Sequence, residues 1–600
     1  AAVFIPVSFL SGPTGIFYRQ FSVTMGISIV LSGITALTLS PALCAMILRS
    51  GHGAPKKKNS LGKFFDWFNN WYEGLSAKYQ KLLAFVINRR TVTFGILLGF
   101  TVATGLLGKF LHSGFIPNED QGSFYISVTT PAGSTLERTK SVIQQINDAG
   151  KNIDAILSIS SSAGYNVLSE GTGASYATCL VNLKNWKDRR ESADEIMSKL
   201  EENCKSIKDA KLEFFPPPAI PGYGNASGFE LRVLDQTPDA DCHKFEAVVK
   251  QFLKDLNAQP EIGGAFTIYD AGYPEYMIHV DIDKASQKGV TIDNAMGNLN
   301  TMLGSEYATN FIKFGQMYKV MVQALPEYRA KPEDLNSFYV KNDKGIMVPY
   351  NSFMTVEKQY GVDDQTRFNM YNSAEVSGDA APGYSSGSAI KAIQKTVKEK
   401  LPKGYAIDWA GISRDEVAVG NEAILIFLIS LLFVYLLLSA QYENFLLPLS
   451  VILSLPTGIF GAYGLLFAMG LENNIYAQIA LIMLIGLLGK NAILIVEFAS
   501  MKHKEGKRPL EAAIEGAKIR LRPILMTSFA FIAGMVPLLF ASGAGAVSNR
   551  TIGAAAAGGM LFGTVFGLIV IPGLYVIFAT ISEKITIKRT KEEIAFTEEI

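Results

Sequence analysis

The residues best placed to do chemistry lie in Gly486-Leu487-Leu488-Gly489-Lys490-Asn491-Ala492-Ile493-Leu494-Ile495-Val496-Glu497, where a lysine and an asparagine interrupt a long apolar run. An ammonium in hydrocarbon is costly, so its position there points to a function. The run covers roughly residues 477–499. At ~1.5 Å per residue, Lys490 lies ~20 Å from one end and ~13 Å from the other. A lysine stem reaches about 6 Å, which is short of either surface. The ammonium is therefore expected to face a helix bundle and to meet an acidic partner. No aspartate or glutamate in another apolar run of the chain is central enough to be that partner. Glu497 shares roughly the same helix face but sits ~10 Å along the axis, too far for a direct pair. In the following apolar run, Arg522 reads as an ordinary end anchor beside Arg520. Thr527 lies one to two turns inside, where its hydroxyl either bonds back to its own helix or joins a relay. A lysine beside a titrating acid alternates between a paired and a released state. One charge moving through ~100 mV supplies about 2.3 kcal/mol, enough to bias two packings of a bundle.

The elements that must hold these residues follow from composition. Of the 600 residues, 18% are charged and mean hydropathy is positive, too greasy for one soluble globule and too polar for a purely membrane chain. A net charge of +1 gives no sign of nucleic acid. The 4 cysteines, Cys44, Cys179, Cys204 and Cys242, have no metal-type spacing and read as buried free thiols, or as one disulfide among the last three. The 5 histidines are scattered, so no metal is expected. There is no phosphate loop, nucleophile elbow or zinc motif, and no serine or cysteine beside a histidine at a bilayer edge, so neither an enzyme nor a cofactor is expected. The opening Ala1-Ala2-Val3-Phe4 reads as the continuation of a longer chain.

Residues 1–48 read as the end of one transmembrane helix, a Gly/Pro turn at 11–15 and a complete span at 21–48. Lys56-Lys57-Lys58 then marks the cytoplasmic side. Within the cytoplasmic segment 49–90, Leu61, Phe64, Phe65, Trp67, Phe68, Trp71 and Tyr72 recur at helical spacing and predict an amphipathic helix in the membrane interface. A span at 91–112 leads outward. Short alternating strands and amphipathic helices follow, predicting split β-α-β layers at 113–225 and at 226–275 with 363–415, the second interrupted by an inserted subdomain at 276–362. Residues 421–583 carry five more spans, with the basic residues 502–522 filling one connecting loop, and 584–600 form a cytoplasmic tail. The fold class is a polytopic α-helical membrane protein with a large periplasmic α+β block. In that block, Phe214-Phe215-Pro216-Pro217-Pro218 opens a stiff apolar run ending at Gly224, fit to line a substrate cleft or to link two domains. Gly164-Tyr165-Asn166-Val167-Leu168-Ser169-Glu170-Gly171-Thr172-Gly173 is a glycine-bounded loop fit to move.

Several motifs carry a resemblance along the whole chain. Tyr18-Arg19-Gln20-Phe21-Ser22, Leu39-Ser40-Pro41-Ala42-Leu43-Cys44, Phe115-Ile116-Pro117-Asn118-Glu119-Asp120-Gln121-Gly122, Gly489-Lys490-Asn491-Ala492 and Leu521-Arg522-Pro523-Ile524-Leu525-Met526-Thr527-Ser528 resemble the resistance-nodulation-division superfamily. The branch is the hydrophobe/amphiphile efflux pumps of the acriflavine-resistance, AcrB-like type. The resemblance implies the C-terminal half of an inner-membrane, proton-driven pump, with two porter subdomains and an inserted docking subdomain. It also implies a homotrimer that works with a periplasmic adaptor (membrane fusion) protein and an outer-membrane channel to export small amphiphilic compounds. Lys490, with Asn491 beside it, Arg520 and Thr527 match proton-relay positions, and the paired aspartates of that relay belong to a span outside this chain. Phe215 matches a substrate-path aromatic, Tyr165 and Val167 the loop between two drug pockets, and Tyr125 and Leu180 deep-pocket positions. Several of these positions, usually phenylalanine or methionine, are tyrosine, valine or leucine here, so the resemblance does not fix the substrate range, and no methionine ladder of a metal exporter is present. A superfamily accessory for protein secretion or lipid transport is the alternative.

Overall fold

The computed structural model describes residues 3–9, 12–47, 60–419 and 422–598. Lys56-Lys57-Lys58 and the side chains of Leu61, Phe64 and Phe65 lie outside the described residues. The chain opens with helices α1 (Phe4–Val7), α2 (Gly12–Leu37), α3 (Leu39–Ile47), α4 (Ser60–Asn88) and α5 (Arg90–Phe110). In place of the expected Gly/Pro turn, α2 already starts at Gly12. Pro13 suits a first helical turn, where the N–H that it lacks would have no partner. The interfacial helix is also longer than its aromatic pattern suggested. Leu83, Val86 and Ile87 are buried, and the Tyr79 hydroxyl donates to the Leu568 carbonyl at 2.7 Å. Trp67 and Trp71 stay exposed.

The soluble block begins with β1 (Ser123–Thr129), α6 (Leu136–Gly150), β2 (Ile156–Tyr165), β3 (Thr172–Leu183), α7 (Ala193–Cys204) and β4 (Lys211–Phe215). These strands form one antiparallel sheet in the order β2-β3-β1-β4. Alternation does the sorting: Phe124, Ile126 and Val128 point into a core closed by Val142 and Ile146 of α6 and by Ile196 and Leu200 of α7. Tyr125, Ser127 and Thr129 occupy the opposite face. β2 had no clear sequence signal, because this edge strand runs Ser158-Ile159-Ser160-Ser161-Ser162 and is largely solvated. Cys179 and Cys204 are free and buried in this core.

The next strands repeat the plan. They are β5 (Phe229–Asp235), α8 (Cys242–Asn257), β6 (Ile262–Phe266), then the inserted β7 (Tyr273–Val280), α9 (Ile282–Gln287), α10 (Ile292–Leu299), β8 (Glu306–Lys313), β9 (Gln316–Val322), β10 (Tyr339–Lys341), β11 (Met347–Pro349) and β12 (Met354–Gly361). The chain then returns through β13 (Arg367–Phe368), β14 (Tyr371–Ala380), α11 (Ser386–Lys400) and β15 (Tyr405–Trp409). β14 lies between β5 and β6, and β15 lies on the other side of β5. The paired strands β7 and β12 form the stem of the insertion, whose own small core includes Tyr350 and Phe353.

A junction helix, α12 (Gly411–Val419), leads to α13 (Glu422–Tyr442), α14 (Leu447–Ile452), α15 (Leu455–Ala468), α16 (Ile475–Lys504), α17 (Pro509–Leu539) and α18 (Ala546–Glu598). By length and composition 6 helical stretches among the described residues can cross a membrane, and α13 adds the shorter apolar stretch Phe427–Tyr442. Of the basic residues at 502–522, Lys507 and Arg508 lie in the short connection and the rest are helical. α16 and α17 run that far because Ala512, Ala513, Gly516 and Ala517 are small enough to seat one helix against Ala499 of the other. Nor does the chain leave helix after residue 583, since α18 continues to Glu598.

Two neighbouring carboxylates tie the layers together. Glu119 accepts from the Val547 and Ser548 N–H groups at 3.0 and 2.7 Å and from the Ser548 hydroxyl at 2.5 Å, covering the N-terminus of α18. Asp120 accepts from Arg189 at 2.6 Å and from the Gly122 and Ala193 N–H groups at 3.0 Å each, the last at the start of α7. Burial acts to raise the Asp120 pKa, but the Arg189 guanidinium and the two N–H groups outweigh it and hold the carboxyl below its usual range.

Candidate functional site

In the bundle, α16 is buried along almost its whole apolar length. Asn491 is buried and donates from Nδ2 to the Ser528 hydroxyl of α17 at 3.3 Å, and the Thr564 hydroxyl of α18 approaches the same oxygen at 2.9 Å. Ser454, Thr457, Asn491 and Thr564 join Leu488 and Ile524 around a void of about 10 Å³, the room that one water needs. Facing it, the helix breaks between α14 and α15 at Leu453 and Ser454, with Pro448 and Pro456 on either side. Ser450, Ser454 and Thr457 donate to the Leu447, Val451 and Ser454 carbonyls at 2.5, 2.6 and 2.8 Å. Buried hydroxyls thus find partners within their own chain segment.

Lys490 is exposed, contrary to the expectation of a lysine enclosed by helices. Between residues 475 and 500 it is the one exposed position. The reason is rotational: consecutive helical residues diverge by ~100°, so Asn491 takes the packed side and Lys490 the side that no helix among the described residues covers. It makes no ion pair among the described residues. Thr527 is exposed too, one residue before Ser528, and its hydroxyl bonds back to the Ile524 carbonyl at 3.0 Å. The Arg520 guanidinium lies 3.6 Å over the Phe498 ring, and its Nε is buried without a hydrogen-bond partner among the described residues. Arg522 reaches back to α4, donating to Asn69 Oδ1 at 3.5 Å over the Tyr72 ring.

In the soluble block, strand register brings together three of the residues singled out in the sequence. Tyr125 of β1 pairs with Leu180 of β3 on one side and Phe215 of β4 on the other, one row across the sheet on the face opposite the core. The Tyr125 and Phe215 rings stack at 5.9 Å, and Phe215 lies 6.5 Å from Phe266 of β6 in the second sheet. Beside this row is a cleft of about 1290 Å³ between the two sheets. Ser127, Thr129 and Tyr176 of the first sheet, Phe266 and Glu375 of the second, and Tyr269 just past β6 face it. The glycine-bounded loop is its wall, and this loop is fastened rather than loose. Buried Asn166 accepts from Ser127 at 3.2 Å, the Val167 N–H donates to the Thr178 hydroxyl at 3.0 Å, and that hydroxyl donates to the Tyr165 carbonyl at 2.9 Å. Asn225, beyond the proline run that joins the two sheets, donates to the Leu168 carbonyl at 3.1 Å. Ser127, Asn166, Thr178 and Asn225 were missed in the sequence, where lone polar residues on strands and loops carry no periodic signal.

On the second sheet Arg232 lies 2.7 Å from Glu375 and 3.8 Å from Glu230. Burial and the neighbouring Glu375 carboxylate push Glu230 up to about 7, and burial raises Glu375 as well.

A bundle of membrane-length helices joined to a strand-rich soluble block with a large cleft defines a polytopic membrane protein with a soluble domain. The chain belongs to the AcrB/AcrD/AcrF family, whose model matches residues 1–579. It is similar to the antibiotic efflux pump membrane transporter ArpB of Pseudomonas putida, 38% identical over 588 residues covering 96% of this chain and 55% of that protein. The toluene efflux pump membrane transporter TtgB, also of Pseudomonas putida, is 37% identical over 587 residues, 96% of this chain and 55% of that protein. The multidrug resistance protein MdtF of Escherichia coli is 36% identical over 587 residues, 96% of this chain and 56% of that protein. The chain thus spans about half the length of the curated relatives it matches, and its resemblance to the resistance-nodulation-division superfamily is borne out.

Proposed function

We propose that this chain is part of an inner-membrane exporter of hydrophobic and amphiphilic compounds, driven by the proton-motive force. The observation that carries the reading is Lys490, the single exposed position between residues 475 and 500 of an otherwise enclosed apolar helix. A lone ammonium at mid-membrane depth requires a counter-charge. The uncovered face is where a helix from outside this chain, bearing a protonatable carboxylate, supplies one. Thr527 belongs to the same face. On antiparallel helices, the residues one position before a bonded pair such as Asn491 and Ser528 rotate to the same side. Protonation of the carboxylate releases Lys490, and the altered charge favours a second packing of the bundle, with Arg520 and Asn491 holding α17 and α16 in either state.

The cleft is the substrate path in this reading, lined on one side by Ser127 and Thr129 of the sheet face that also carries Leu180, Tyr125 and Phe215, and walled by Asn166 and Leu168–Thr172 of the loop that also carries Tyr165 and Val167. The two sheets act as porter subdomains and the segment inserted between β7 and β12 as a docking subdomain. The pump works as a homotrimer with a periplasmic adaptor and an outer-membrane channel. The names of the relatives, efflux pumps for antibiotics and toluene, support the substrate class. The full-length transporter with Lys490→Ala, expressed in a pump-deficient host, is expected to lose drug tolerance down to the level of the host. Tolerance equal to the unmodified transporter ends the relay reading.

A further inference from the structure

We propose that Phe498 is a positioning residue, whose ring holds the Arg520 guanidinium beside the uncovered face of the bundle without cancelling its charge, an inference that rests on the proton-relay reading. The two residues extend the register already seen between α16 and α17. Phe498 follows Asn491 by seven residues, ~10.5 Å along the axis and ~20° around it, so it faces α17 as Asn491 does. Arg520 precedes Thr527 by seven residues and so starts from the uncovered side that Thr527 occupies. Arg522 is exposed and turns back to Asn69 and Tyr72 of α4, whereas Arg520 is half-buried and folds over Phe498.

This contact differs from the other arginine–ring contacts among the described residues. Arg89, Arg189 and Arg522 lie 5.0, 6.0 and 5.5 Å from the rings of Phe85, Trp186 and Tyr72, toward the outer reach of a cation–ring attraction, whereas Arg520 lies at 3.6 Å. Its Nε is buried with no hydrogen-bond partner, and the guanidinium forms no ion pair, among the described residues. Glu497, beside Phe498 in sequence, turns ~100° away from it and lies near Tyr442 of α13 instead. Desolvation strengthens the pull of the ring, which takes the place of a carboxylate as the holder of this cation. A carboxylate would cancel the charge, but a ring quadrupole leaves its positive field standing. Lys490 and Arg520 then form two cations about two turns apart along the side where a carboxylate from outside this chain is expected. Both attract it, because charges within a low-dielectric bundle are little screened over such a distance. Freed from the ring, the long arginine stem would carry the guanidinium out to water and that second attraction would be lost.

The test expresses the full-length transporter in a pump-deficient host with Phe498 replaced by phenylalanine analogues that carry successively more ring fluorines. Fluorine drains the negative ring face while leaving its shape and apolarity nearly unchanged, so a side chain that merely packs does not register the series. Drug tolerance is expected to fall with each added fluorine, by about fivefold over the whole series, at a constant amount of transporter in the membrane. A flat series overturns the inference, and so does a fall that simply follows the amount of protein in the membrane. Lys490→Ala, run alongside, separates the two failures. If it abolishes tolerance while the fluorine series stays flat, export stands and the positioning role of Phe498 falls. If it leaves tolerance intact, the relay reading falls and takes this inference with it.

Discussion

Adjacent residues do different work in the bundle. Asn491 and Ser528 are buried and bonded to each other, whereas their neighbours Lys490 and Thr527 look outward. Ser528→Ala removes the acceptor for Asn491 and the partner of Thr564, and is expected to destabilise the solubilised transporter by about 1 kcal/mol, read as a lowered melting temperature. Thr527→Val removes only a back-bond to Ile524 and is expected to change stability by less than about 0.5 kcal/mol. A melting curve in which the two variants exchange places contradicts this assignment of sides. Lys490 and Asn491 were legible in the sequence because a charge and an amide within an apolar run stand out. Ser528 and Thr564 were not, since hydroxyl residues are common in membrane helices and one sequence does not say which of them meet.

Between elements, glycines decide how closely helices approach. α15 and α18 touch through Gly461 and Gly558: a methyl group added at Gly461 would lie 2.3 Å from the Gly558 carbonyl, and one at Gly558 would lie 2.4 Å from that of Gly461. Gly464, one turn on, has nothing within 4 Å. Gly461→Ala is therefore expected to cost about 1–3 kcal/mol by forcing the helices apart, whereas Gly464→Ala is expected to be neutral or slightly stabilising, with thermal unfolding in detergent as the measurement. Hydropathy located the helices but not their ends. α17 continues through Pro523 and Lys518 because its small residues pack on α16, a tertiary contact that outweighs the charge pattern. The strands with apolar alternation were readable for the same reason that serine-rich β2 was not: alternation marks burial on one face, and β2 has little. The row of Leu180, Tyr125 and Phe215 needed strand register, which pairs residues 90 positions apart and has no local signature.

Across the molecule, the membrane and soluble layers meet at acidic contacts that respond to pH. Glu416 of α12 accepts from Ser386 at the start of α11 at 2.8 Å, and Glu472, from the turn before α16, lies against Gly114, where an added methyl group would sit 2.4 Å from its oxygen. Burial pushes each carboxyl up to about 7, and the Glu472 charge adds to the effect on Glu416. With the folded pKa above the ordinary 4.5, the native state holds more protons than the unfolded chain between those values, so stability falls as pH rises from about 4.5 through about 7. The melting temperature of the solubilised transporter is expected to be higher at pH 5 than at pH 7.5, by a margin that narrows in Glu472→Gln. A variant whose pH dependence matches that of the unmodified protein counts against this source. The other junction contact, Glu119 and Asp120, has a mechanical corollary. One peptide bond separates the anchor on the last membrane helix from the anchor on α7, and a single peptide has no slack to spool out. A piston-like stroke of α18 would therefore be handed on undiminished to the sheet that borders the cleft.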